Sequence, residues 1–262
     1  MMGRPDPVNA DAMFARYAYP PNELGYCGPG DGRDLLEFAD RAGHPDAATP
    51  PLLDMVTRAQ AFDGAWPYLE YLAARTGLDP MDPRVLEAYW LGNDLLEQTD
   101  PDSFARAVTG AFGTQHGADL DALVANPHPL PHHSFHVFSI YPWVGVLRRT
   151  GAAHALQVLD KCRIRWGQVD WIDGDKVSVH CEPLSWDGTA LGLGPPVTEQ
   201  ARLTDAGRSL AGDVRVGDWV ALHWDWVCDR LSEDQLLALA GYTERQLAIT
   251  NRRVEPTAGE SP

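Results

Sequence analysis

Cysteine is scarce in this chain of 262 residues: Cys27, Cys162, Cys181 and Cys228 lie far apart, and no CxxC pair occurs. That excludes a zinc knuckle built from residues close in sequence. Basic residues are also few. Lys and Arg number 21 against 37 Asp and Glu, a net charge of −16. Such a surface would be repelled by a phosphate backbone, which argues against DNA, RNA or an anionic membrane as partner. The longest apolar run, Phe138 to Leu147, is too short to span a bilayer and is broken by Pro142. The opening stretch MMGRPDPVNADAMF lacks the basic-then-apolar pattern of a secretory signal. These absences lead us to expect a cytoplasmic protein with reduced thiols. GxSxG, HExxH and Gly-Lys-Ser/Thr are missing too, so a hydrolase elbow, a zincin helix and a phosphate loop lose their usual signatures.

A hydrophobic share of 44% with nine Trp is enough for a sizeable core. The spacing predicts a helical domain over residues 1–160. Asp82-Pro83 and Asp100-Pro101 are N-cap and N1 pairs, and Val85, Leu86, Tyr89, Trp90 and Leu96 form an apolar stripe. RDLLEFADRAG is a shorter helix, and TRAQAFDGAWPYLEYLAARTG is one that Pro67 can split. HHSFHVFSIYPWVGVLRRTG and AAHALQVLDK supply two more. At Cys162 the pattern turns to alternation. CRIRWGQVDWI and KVSVHC read as a hairpin around Asp173-Gly174-Asp175, and VRVGDWVALHW as a strand pair around Gly217-Asp218. Gly192 to Pro196 reads as a loop. Ser232 caps a closing helix, and residues 251–262 read as a disordered tail. The expectation is an α+β multidomain protein: a helical domain over 1–160, then a small OB-like β-barrel with a closing helix over 161–250.

Two segments carry candidate chemistry. The stretch NPHPLPHHSFH holds His128, His132, His133 and His136. With a helix starting at Pro131, His132 and His136 stand one turn apart, where neutral imidazoles can share a metal; a structural, hydrogen-bonding role is the alternative. The glycine-rich GYCGPGDG reads as a turn into the helix at Arg33, placing Cys27 near a helix N-terminus, where a thiolate is favoured. A small thiol packed in a tight turn is the other reading. Trp66, Tyr68, Tyr71, Tyr89 and Trp90 recur at helical intervals and read as core.

The block from Cys162 to about Leu239 has an order of its own: a cysteine opening a strand, GQVDWIDGDKVSV, a spacer, VRVGDWVALHWDWV and an acidic helix. It resembles the small hydrogenase-assembly chaperones of the HypC/HupF family, with Ile172-Asp173-Gly174 at the hairpin turn. The resemblance implies that Cys162 holds an iron centre with cyanide and carbonyl ligands or docks to a partner, and that His223 assists. A thiolate is a soft ligand for low-spin iron, and an imidazole can ligate or donate beside it. A cysteine at a strand end would project from the barrel rim toward that ligand or partner. This chain differs from the family in four ways. Cys162 is internal, Trp166-Gly167 stands where the family has Pro-Gly, His223 to Trp226 reads HWDW where the family has HVGF, adding a charge and bulk, and the segment from Leu184 to Asp213 is extra.

The function expected on this footing is a maturation factor for a metalloenzyme, [NiFe]-hydrogenase foremost, binding a metal fragment or the immature large subunit. Cys162 and His223 are the principal site. His132, His133, His136 and Cys27 are secondary metal candidates, and iron, zinc and nickel are the candidate metals. A metal-dependent enzyme or sensor built on the His128–His136 segment, and a ligand-free scaffold, are the alternatives. A helical return from Pro131 to Lys161 would bring His132 or His136 to Cys162.

Overall fold

A computed structural model describes residues 9–42, 54–112 and 129–252. It is a mixed α+β structure whose helical part precedes the strands. Helix α1 (Ala10–Glu23) starts on Asn9, whose side chain accepts the Ala12 N–H, and takes in Pro20-Pro21 before ending at Glu23. It packs on α2 (Arg33–Ala42). The segment around Pro67 is indeed two helices, α3 (Met55–Gln60) and α4 (Trp66–Thr76). The second ends on Gly77 at φ +72, the left-handed conformation glycine adopts without strain. Asp82 caps α5 (Pro83–Trp90), and Pro101 opens α6 (Pro101–Phe112). The apolar stripe over 85–96 spans α5 and a separate 3₁₀ turn at Asp94–Gln98, not one continuous helix.

The histidine segment departs from the expected geometry. His132 caps the short α7 (His133–Phe135), and the chain then widens into a π-helical turn over His136–Ile140, with Tyr141 N–H donating to His136 O at 3.0 Å. Pro142 then opens α8 (Trp143–Thr150), followed by α9 (Ala153–Cys162). His132 therefore lies outside the helix, and the one-turn pairing of His132 with His136 does not form. His128 lies outside the described residues.

Cys162 is the last residue of α9 and does not open a strand; β1 (Arg165–Asp173) begins three residues later. Asp160 explains the junction. It accepts from the buried Arg163 guanidinium at 3.0 Å and from the Leu184 N–H at 2.8 Å, so the chain turns before alternation begins. β1 and β2 (Lys176–Cys181) form the expected hairpin, with Gly174 at φ +59. The span from Leu184 to Asp213 is not a mere insertion. It holds the β3 (Leu184–Trp186) and β4 (Leu191–Leu193) pair, the loop expected over Gly192 to Pro196 shortened to Gly194 to Pro196, then β5 (Val197–Arg202) and the short β6 (Thr204–Asp205) and β7 (Arg208–Ser209). The late strand pair turns at Trp224-Asp225 between β8 (Trp219–His223) and β9 (Trp226–Arg230), not at Gly217-Asp218. Five strands pair in the order β1-β2-β5-β9-β8, and β8 returns to β1, so the sheet closes on itself. The β5–β9 contact is parallel and rests on Arg202 opposite Trp226.

The closing helix α10 (Glu233–Arg252) opens with a reciprocal cap, Gln235 N–H to Ser232 Oγ and Ser232 N–H to Gln235 Oε1. It extends through Asn251 and Arg252, two residues into the expected tail; the remainder of the tail lies outside the described residues.

Strand β8 shows how the two parts join. Side chains alternate along a strand. Val220 and Leu222 enter the apolar interior of the closed sheet with Val169, Val179 and Val227. Ala221 faces the other way, into a cluster that includes Phe14, Tyr17, Leu86 and Trp90 of the helical part. His223 follows Ala221 on that outward face and is fully buried. The division at residue 160 is one of secondary-structure content; the packing crosses it.

Candidate metal centre

His133, Cys162 and His223 meet at the seam between the helices and the closed sheet. All three are buried, and one ligand atom from each lies within 4.8 Å of the others. His133 comes from α7, Cys162 from the end of α9 and His223 from the end of β8. The His133 and His223 rings are 5.2 Å apart between centroids, at 78°, with the Trp90 indole beside both.

Each imidazole is oriented by a partner on its far side. His223 Nδ1–H donates to the Tyr17 carbonyl at 2.7 Å, which leaves Nε2 as the bare nitrogen, with no hydrogen-bond partner among the described residues. His133 Nδ1 contacts Tyr89 Oη at 3.1 Å, and that hydroxyl lies 2.7 Å from the Gly64 carbonyl. His133 Nε2 in turn lies 2.9 Å from the Cys162 carbonyl. Three contacts thus need three protons. A neutral imidazole and a phenol supply two. Burial holds the His133 pKa down to about 4, so the imidazole carries no second proton at neutral pH. Burial, and then His133 itself, also push His223 well below its ordinary value. If Tyr89 donates to Gly64 O, as the shorter contact favours, His133 Nδ1–H donates to Tyr89 and Nε2 faces two electron-rich neighbours, the Cys162 carbonyl and sulfur. In that arrangement one contact lacks a proton, and a cation at Nε2 would stand in its place.

The donor set fits a borderline or soft ion. Neutral imidazoles with Nδ1 fixed by an oxygen are the usual form of metal-bound histidine. In the metal-free protein, burial raises the Cys162 pKa far above its usual value. A bound divalent ion would draw that proton off, since the ion is the largest charge in such a site. Three protein ligands leave one tetrahedral position open. The cavity among these residues measures about 10 Å³, room for one water-sized body.

The other candidates fall elsewhere. His132 Nδ1 accepts the Ser134 N–H at 3.1 Å, its ring lies near Tyr242, and burial lowers its pKa to about 3; it caps α7 and is not in the cluster. His136 packs among Tyr68, Phe112 and Tyr141, with Nδ1 at 3.0 Å from Tyr68 Oη, and lines the wall of the cavity. Cys27 also lines that wall, half-buried. Of its two readings the packed thiol fits: burial pushes the thiol up to about 11, against the pull of backbone N–H groups at Gly64 and Gly28. Cys162 does not project from a sheet rim. It faces inward, as does His223, so neither reaches a partner protein in this conformation. Sequence reasoning missed Tyr17 and Gly64, which act through backbone carbonyls and leave no side-chain signal. Tyr89 was legible only as core.

These features define a mixed α+β protein with a buried Cys-His-His cluster at its helix–sheet seam. The chain belongs to DUF6390, a family of unknown function, whose model matches residues 7–257. No curated protein and no solved structure is significantly similar to it. Nothing in these comparisons links the chain to the HypC/HupF chaperones. Among the described residues, no helix is long and apolar enough to cross a membrane.

Proposed function

We propose that this protein is a metallocentre maturation factor that holds one transition-metal ion on Cys162, His133 and His223 and passes it to an immature metalloenzyme. The observation that carries this reading is convergence. Cys162 and His223, the two positions singled out by resemblance to the assembly chaperones, lie within 4.8 Å of one another, together with a histidine of the helical part. The open coordination position and the mixed thiolate–imidazole set suit an ion that must leave again. We read the closed sheet as OB-like, supported by its five-stranded ring with one parallel contact. A reduced, cytoplasmic setting suits a thiol ligand. The partner implied by the resemblance is the large subunit of a [NiFe]-hydrogenase. The cavity of about 10 Å³ takes a bare ion of iron, nickel or zinc. An iron fragment with cyanide and carbonyl ligands would require its wall to yield.

The test is co-purification from the native host with metal analysis of the same fractions. The reading expects close to one metal ion per chain, lost in Cys162→Ala, and an immature large subunit in the complex. Metal bound in equal amount by Cys162→Ala would count against it. The open position also favours a second reading, a metal-dependent enzyme, for which a stably metal-loaded protein without any partner would speak. A chain that binds neither metal nor partner would leave the scaffold reading.

A further inference from the structure

The buried centre has a neighbour. A surface pocket of about 350 Å³ lies against the 10 Å³ cavity, and the two share Cys27, Gly64, His136 and Tyr141 in their walls. Gly64 makes the junction thin. A Cβ added there would sit 3.1 Å from His136 Nε2 and 3.3 Å from Cys27 Sγ, so glycine keeps open the space onto which both donors face. Gly64 also accepts the Tyr89 hydroxyl that steadies His133, which ties the junction to the inner centre. The exposed Asp63 lies on the pocket side, on a chain of net charge −16. A concave site of one sign concentrates counter-ions.

Resting on the metal-centre reading, we propose that Cys27 and His136 form an outer acceptance subsite, through which a soft or borderline cation enters from the surface pocket and is passed to Cys162, His133 and His223. The chemistry is ligand exchange. The incoming ion loses water and gains the Cys27 sulfur and His136 Nε2, then exchanges these for the inner sulfur and imidazoles. Each thiol releases its proton on binding, and Cys27 regains one when the ion moves on. No electron is transferred. A thiolate and an imidazole select the same class of ion as the inner set, so the outer pair screens for what the inner centre holds. As a ligand, His136 uses Nε2, with Nδ1–H donating to Tyr68 Oη.

The experiment is stopped-flow loading of the full-length metal-free protein with cobalt(II), following the thiolate-to-cobalt absorption that disappears in Cys162→Ser. Wild type and Cys181→Ser, whose cysteine lines neither cavity, are expected to load alike. Cys27→Ser is expected to load the inner centre roughly tenfold or more slowly, about 1.4 kcal/mol of barrier, yet to reach the same final cobalt content. Gly64→Ala, which removes neither donor but fills the space between them, is expected to slow loading in the same way. It decides the matter should Cys27→Ser not fold by circular dichroism. Loading of Cys27→Ser or Gly64→Ala at the wild-type rate would overturn the acceptance subsite and leave the inner centre standing. Absence of cobalt uptake by wild type would overturn both.

Discussion

The Nδ1–H of His223 donates to the backbone carbonyl of Tyr17 at 2.7 Å, across 206 residues of sequence. That bond fixes the last side chain of β8 to helix α1, and it fixes which imidazole nitrogen faces Cys162. Orientation of the ligand and docking of the helical part onto the sheet are one contact.

Replacing His223 by Gln therefore separates folding from binding. The amide can still donate toward Tyr17, while the imidazole nitrogen is gone. Zinc at about 100 times its dissociation constant should stabilise the wild type by roughly 2.7 kcal/mol. His223→Gln is expected to melt cooperatively and to show no rise in melting temperature with zinc. An undiminished zinc-induced shift would show that the ion binds elsewhere.

Tyr89→Phe keeps the ring that packs on Tyr68 and Trp90 and deletes the hydroxyl between Gly64 O and His133 Nδ1. Loss of an orienting partner commonly weakens metal affinity about 10–100-fold. Competition with a chromophoric chelator should report a loss in that range; an unchanged affinity would mean that the Tyr89 bond does not orient the ligand.

Acid should destabilise the metal-free protein over a defined window. Burial lowers the pKa of His133 to about 4 and of His132 to about 3, and lowers that of His223 as well. Between the unfolded value near 6.5 and these folded values, the unfolded chain binds more protons than the folded one. Stability therefore falls as pH drops through that window, by up to about 1.4 kcal/mol per pH unit for each imidazole. Urea midpoints at pH 7.5, 6 and 5 measure it. A midpoint independent of pH would contradict the neutral, buried state assigned to these rings.

The approach to Cys162 depends on a buried ion pair. Asp160→Ala would leave the Arg163 guanidinium, paired at 3.0 Å and almost wholly enclosed, without its carboxylate. Removal of one member of such a pair costs about 3–5 kcal/mol. The urea midpoint should fall accordingly with little change in slope. A loss below about 1 kcal/mol would show that Glu182 O and solvent suffice for Arg163.

Sequence alone disclosed the parts of this centre more readily than their assembly. Asp82-Pro83 and Ser232 marked helix starts because capping is local chemistry. The β1–β2 hairpin was legible in Asp173-Gly174 for the same reason. The switch at Cys162 was visible, but its side was not: a three-residue shift put the cysteine on the end of a helix, because Asp160 binds Arg163 and Leu184 across a gap no window spans. His132 and His136 looked like a pair at helical period, yet His132 became a cap and a π turn followed, leaving His133 to face Cys162. The closed sheet drew β5 from a stretch that read as an insertion, since its pairing partners β2 and β9 are distant in sequence. Cys162 and His223 could be named as a pair only through resemblance. That they meet, and that α1 covers them, is a property of tertiary packing.

The central claim is that Cys162, His133 and His223 bind one ion together. X-ray absorption at the zinc edge of the stoichiometrically loaded protein tests it most directly. The account predicts one sulfur at about 2.3 Å and two imidazole nitrogens at about 2.0–2.1 Å, with the sulfur shell lost in Cys162→Ser. A first shell of oxygen alone, or a sulfur shell that survives Cys162→Ser, would contradict it.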